Sequence, residues 1–214
     1  VDDDPQILMA LGTTVHPLHI DNLYITVGAG ASRPNVVGTK SLIRMGNDTG
    51  DEGITIANNV TIRYLTEANL LHNTPTLELQ GDIGRGRTVY SNFVIDFGDL
   101  TRDIEGTAIN ASRSIIQAFN CQVSNMSVDN LGVYVGGPIE NILLDVSECQ
   151  VRGLQLDCSA AAEPDEWLSM LRIRGRSIVR DVRLKGTTVG ASGGVILMDG
   201  NGCLLDGVIA EAMA

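Results

Sequence analysis

One six-residue pattern recurs seven times and limits what the chain can fold into: apolar, any, Asn/Gly/Asp, apolar, any, apolar. It reads Ile20-Asp-Asn22-Leu-Tyr-Ile25, Ala57-Asn-Asn59-Val-Thr-Ile62, Tyr90-Ser-Asn92-Phe-Val-Ile95 and Val123-Ser-Asn125-Met-Ser-Val128. It continues as Val151-Arg-Gly153-Leu-Gln-Leu156, Val179-Arg-Asp181-Val-Arg-Leu184 and Leu205-Asp-Gly207-Val-Ile-Ala210. The starts are 37, 33, 33, 28, 28 and 26 residues apart. In the later copies Cys121, Cys149, Ser177 and Cys203 stand two residues ahead of the motif, and Ile115, Leu143, Leu171 and Leu197 stand six residues ahead of those. Such recurrence is what stacked turns of chain produce, because each residue then lies over its counterpart one turn below.

Strand periodicity prevails inside the motif. Apolar residues after the central position alternate with a period of two, and the third residue is always a type that tolerates φ > 0. The motif therefore reads as the end of one short strand, a one-residue left-handed kink, and the start of another. Asn22, Asn59, Asn92, Asn125, Gly153, Asp181 and Gly207 form the expected turn ladder. Segments such as Ile142-Leu-Leu-Asp-Val146 and Val195-Ile-Leu-Met198 supply a further strand per turn. The best helical stretch, Ala160 to Met170, contains Pro164, and residues 157–168 read as an excursion from one coil with Trp167 folded back over the core. The expected fold is all-β: a right-handed, single-stranded parallel β-helix of about seven coils over residues 18–214, with little helix. Residues 1–17 are expected to form an N-terminal arm or cap. At ~4.8 Å per stacked strand the rod is only about 30 Å tall.

Composition narrows the function classes. The 214 residues carry a net charge of −11, which argues against a phosphate-tracking nucleic-acid binder. No stretch approaches the ~20 apolar residues of a spanning helix, so no membrane association is expected. The chain opens Val1-Asp2-Asp3-Asp4, unlike a cationic signal peptide, and reads as a complete small protein trimmed of its initiator Met. Cysteines at 121, 149, 158 and 203 and histidines at 16, 19 and 72 show no metal-ligand spacing, so buried free thiols and no metal or cofactor are expected. Asn47, Asn59, Asn110 and Asn125 each begin an Asn-x-Ser/Thr triplet, but two of these belong to the kink ladder. Only 4% of residues are aromatic, which suits a narrow coil filled by Val, Ile, Leu and Cys.

The seven motifs, with their asparagines at 22, 59, 92 and 125, resemble the right-handed β-helix superfamily that includes pectate lyases, polygalacturonases, and the tailspike and other virion proteins of bacteriophages. The resemblance covers roughly residues 18–210. It implies architecture more than activity, since this coil hosts unrelated functions. The Asn-Thr-Asp triplet and the His-Gly pair of polygalacturonases are absent, and Asp-Asp occurs only in the N-terminal segment. Asp145 and Asp199 share an offset in their coils, with Ile173 expected between them, and read as outward polar positions. Asp96 and Asp99 follow the third motif. Sugar-stacking rings are scarce. The Gly28–Ser32 and Gly81–Arg87 strings read as turns and loops.

These features lead to an expected function. Arg172, Arg174, Arg176, Arg180 and Arg183 form a basic band in an acidic chain, and a neighbouring subunit's acidic surface is its expected partner. Arg172, Arg174 and Arg176, with Asp2, Asp3 and Asp4 of the arm, are the expected partner contacts. The expectation is a non-enzymatic structural virion protein, a homotrimer that decorates or cements a phage capsid or tail by docking on the major capsid protein or another virion protein. The alternatives are a tailspike-like module that binds or degrades a glycan, and a secreted adhesin.

Overall fold

A computed structural model describes residues 8–11, 17–27, 43–46, 53–64, 77–81, 88–97, 113–129, 141–157, 167–186 and 195–211. Their regular structure is all strand. The odd-numbered strands are β1 (Leu8–Leu11), β3 (Ile43–Gly46), β5 (Leu77–Gln80), β7 (Arg113–Phe119), β9 (Asn141–Ser147), β11 (Trp167–Arg174) and β13 (Ile196–Asp199). The even-numbered ones are β2 (Leu18–Val27), β4 (Thr55–Tyr64), β6 (Thr88–Asp96), β8 (Gln122–Asp129), β10 (Gln150–Asp157), β12 (Ile178–Lys185) and β14 (Leu204–Glu211). Each set forms one seven-stranded sheet in which every strand neighbours the next of its own set. All pairings are parallel. The chain thus alternates between two sheets and adds one layer to both with each pair of strands.

The even sheet carries the motif. All seven ladder residues have left-handed φ, from 52° at Asn125 to 69° at Gly153. They drop out of the pairing register, which runs Asp21↔Asn58 and resumes at Leu23↔Val60. Two short strands with a kink between them are therefore joined into one element whose ladder skips a rung. The kink also resets which side faces inward: Ala57 and Val60 are both buried, with Asn58 and Asn59 facing outward between them. A run of regular β residues would send one of those apolar side chains to solvent.

The apolar core lies between the sheets, and it holds more rings than a narrow coil suggests. Tyr64, Tyr90, Phe93 and Phe97 are fully buried, half of the chain's aromatic residues. Tyr64 stacks on Phe97 at 4.9 Å, and Tyr90 meets Phe93 edge to face at 5.6 Å. The early layers, separated by longer spacings, have room for them. The expectation of an almost ring-free interior was incorrect there.

Leu8–Leu11, within the segment expected to form an arm or cap, pairs in parallel with Ile43–Gly46 as the first strand of the odd sheet. Two further expectations change. Trp167 to Met170, part of the helical candidate, opens β11 as strand; the side chain of Trp167 and residues 158–166 lie outside the described set. The proposed stack of Ile115, Leu143, Leu171 and Leu197 holds at its first step, where Ile115 lies opposite Leu143, and is one residue out of register at the two later steps, because Leu171 pairs with Leu144 and Ile196. The cause is the corner between the sheets. One residue, Asn120 or Glu148, separates the odd strand from Cys121 or Cys149; two, Gly175 and Arg176, precede Ser177; three, Gly200 to Gly202, precede Cys203. A fixed offset from the cysteines therefore drifts as the corner lengthens.

The corner column itself is small and polar. Thr55 pairs with Thr88, and Cys121, Cys149, Ser177 and Cys203 each stand one residue before an even strand. Their side chains serve corner carbonyls: Cys149 Sγ donates to Ser147 at 3.1 Å, Ser177 Oγ to Arg174 at 2.6 Å and Cys203 Sγ to Gly175 at 3.0 Å. Such groups turn the chain sharply without orphaning its backbone oxygens.

Candidate functional site

On the outer side of the kink, strands β6, β8, β10 and β12 border an open groove of about 460 Å³. One wall is the ladder itself, Asn92, Asn125, Gly153 and Asp181; beside it runs the column Val94, Ser127, Gln155 and Arg183. Parallel register puts that column in line, since Val94 pairs with Ser127, Ser127 with Gln155 and Gln155 with Arg183. The ladder amides bond from layer to layer: Asn125 Nδ2 donates to Asn92 Oδ1 at 3.1 Å, and Asn59 Nδ2 to Asn22 Oδ1 at 3.2 Å. Asn92 Nδ2 and Ser91 Oγ donate to Asn58 Oδ1 at 2.8 and 2.9 Å. The groove thus presents amides, the Ser127 hydroxyl, the Asp181 carboxylate and the Arg183 guanidinium, with Val94 exposed among them; the ring below it, Phe93, is buried.

A third outward column lies two residues beyond. Arg63 pairs with Asp96, Asp96 with Asp129, and Asp157 with Lys185. Asp157 directly follows Leu156, the partner of Val128, so the five side chains stand in successive layers. Cations close both ends, with Arg63 Nε 3.5 Å from Asp96 and Lys185 Nζ 3.0 Å from Asp157. Partial burial pushes the central Asp129 carboxyl above its ordinary range. The Ser127 hydroxyl, 3.0 Å away, opposes this, while Asp157 and Asp96 add to it. The column is thus one carboxyl with a raised pKa between two cation-held carboxylates. Asp96 and Asp157 are two layers, about 10 Å, apart, slightly beyond the ~6.5–9.5 Å of inverting glycosidases. Among the described residues no three His, Cys, Asp or Glu side chains converge as a metal site.

The odd sheet answers for the basic band. Arg174 grips Asp145 with two nitrogens, at 2.9 and 2.7 Å, and Arg172 Nη2 lies 2.5 Å from Asp199. Arg176 is 3.8 Å from Glu148, and Arg183 is 2.6 Å from Glu211. Arg172, Arg174 and Arg176, expected to face another subunit, therefore have carboxylate partners within the chain, because parallel stacking sets acids of one layer beside bases of the next. Asp145 is not an outward solvated position: its side chain is 4% exposed, and Ile142 to Val146 are all buried. Burial raises its carboxyl despite Arg174 and Arg172, which pull it down. Arg172, not Ile173, is its neighbour in register, and Asp199 pairs with Arg174. The two acids are thus joined through crossed arginines. Asp199 itself is held below its ordinary range by the Arg172 hydrogen bond.

The groove column and Asp129 with Asp157 escaped sequence reasoning, although a signal existed: Asp96, Asp129 and Asp157 each directly follow the last apolar residue of a motif. Asp2, Asp3, Asp4, Asp99, Asn47, Asn110, Cys158 and the Gly28–Ser32 string lie outside the described residues, as does the Gly81–Arg87 string after Gly81. No family model, no curated protein and no solved structure matches the chain.

Proposed function

We propose that the chain is a non-enzymatic structural protein of a virion, a short right-handed parallel β-helix that assembles as a homotrimer and decorates or cements a bacteriophage capsid or tail. The observation that carries this reading is the use made of charge. Arg63, Arg152, Arg172, Arg174, Arg183 and Lys185 are all paired with carboxylates from another layer. Several weak exposed pairs joined to one part-buried bidentate pair suit a body that transmits load along its stack. The docking partner in this reading is the major capsid protein, with many copies adding strength through multivalency. The reading predicts the protein in purified particles at a fixed ratio to the major capsid protein. Particles with complete shells and no such protein overturn it.

The groove favours one second reading, a tailspike-like module that binds or cleaves a glycan. An open polar trough beside a raised carboxyl at Asp129 suits a hydroxyl-rich chain. That reading predicts oligosaccharide release or binding across a polysaccharide panel, lost in Asp129→Asn. A flat panel with folded protein sinks it.

A further inference from the structure

Two buried nucleophiles take no part in the groove. Cys121 and Cys149 occupy the corner column of the fourth and fifth layers, with their Sγ atoms 3.7 Å apart. Both are free thiols. In the dithiol state Cys149 donates to the Ser147 carbonyl at 3.1 Å, which leaves its sulfur to accept from Cys121. That bond holds the Cys149 thiol below its ordinary range against the effect of burial, whereas burial pushes Cys121 up. Cys149 is thus the better nucleophile and Cys121 the resolving thiol.

We propose that Cys121 and Cys149 form a reversible, peroxide-driven disulfide that staples the fourth layer to the fifth. The Cys149 thiolate attacks one oxygen of hydrogen peroxide; the O–O bond breaks, leaving a sulfenic acid on Cys149 and releasing one water. The Cys121 sulfur then attacks the Cys149 sulfur, the S–S bond forms, and the hydroxyl departs as a second water with the Cys121 proton. Two electrons pass from the pair to the peroxide, and both thiol hydrogens end in water. A water-sized oxidant suits thiols buried this deeply.

The geometry also makes the bridge labile. Layers lie about 4.8 Å apart, while a relaxed disulfide wants its Cβ atoms about 3.8 Å apart. Closure therefore draws two corners together, and strained bridges are the readily reduced ones. Closure strains the layer-to-layer bonds that Gln150 N donates to the Cys121 carbonyl at 3.0 Å and Ile178 N to the Cys149 carbonyl at 2.8 Å, although neither cysteine lies within a strand. The odd-sheet pairing ends at Phe119↔Ser147, and the even-sheet pairing starts at Gln122↔Gln150.

The test treats the folded protein with stoichiometric hydrogen peroxide, then unfolds it and counts thiols by alkylation and mass spectrometry. The four thiols of the chain fall to two, the mass drops by two hydrogens, and digestion yields a peptide pair cross-linked through Cys121 and Cys149. Dithiothreitol restores all four. Oxidation raises the melting temperature of the wild type and leaves that of Cys149→Ser unchanged. In Cys121→Ser the reaction stops at a Cys149 sulfenic acid that dimedone traps. Four persisting thiols, oxygen adducts on Cys149 while Cys121 is present, or a bridge through Cys158 or Cys203 overturns the proposal.

Discussion

Substitution at Gly153 tests the stacked kink most sharply, because two separable costs meet there. Gly153 has φ +69°, and a Cβ added to it would lie 2.9 Å from Asn125 Oδ1 in the layer below. Alanine in the left-handed region costs about 1–2 kcal/mol. Forcing the Asn125 amide aside adds roughly 1 kcal/mol, at the low end for overpacking since the amide is exposed. Gly153→Ala should therefore cost about 2–3 kcal/mol. Asn125→Gly keeps the backbone conformation and loses the 3.1 Å bond to Asn92; with the added chain entropy this is about 0.5–1 kcal/mol. The double variant removes the steric part of the first cost, so it should be more stable than the sum of the singles by about 1 kcal/mol. Urea unfolding followed by far-ultraviolet circular dichroism measures all four corners of the cycle. Additivity within ~0.4 kcal/mol would mean that the two residues do not stack, and the reasoning fails.

Three other substitutions probe the charged side chains. Asp129 has a raised folded-state pKa, so folding favours its protonated form. That contribution is full below the ordinary carboxylate range and is lost as pH rises through the raised value. Asp129→Asn should therefore melt above the wild type at pH 7, with the gap closing at acid pH; a gap that widens on acidification contradicts the assignment. Asp145→Ala leaves Arg174 without its bidentate partner, a loss of about 2 kcal/mol once the 3–5 kcal/mol of a fully buried pair is discounted for the 39% exposure of Arg174. Arg176→Ala, whose side chain is 85% exposed, should stay within ~0.5 kcal/mol of wild type in the same urea titration.

The kink ladder was legible because few residues tolerate positive φ, so Asn22, Asn59, Asn92, Asn125, Gly153, Asp181 and Gly207 mark themselves wherever they recur between apolar positions. The repeat also located both halves of the even sheet. The odd sheet was less legible, since its register against the motif depends on corner length, and Gly175–Arg176 and Gly200–Gly202 shift it by one and then two residues. Charge pairing was not legible at all. Arg172 and Asp199 are 27 residues apart, and only the observed register reveals that Arg172, Arg174, Arg176 and Arg183 of the basic band are matched by carboxylates of the same chain. The buried rings misled in the opposite direction: a low aromatic count suggested a core without them, yet Tyr64, Tyr90, Phe93 and Phe97 gather in the early layers.

The account depends on residues lying over their counterparts in successive parallel layers, and nuclear Overhauser contacts between backbone protons report that directly. Parallel stacking predicts cross-peaks linking Ser127 to the neighbourhood of Gln155, and Gln155 to that of Arg183, as their register requires. Cross-peaks in an antiparallel pattern between sequence-adjacent strands, such as β9 with β10, would contradict it.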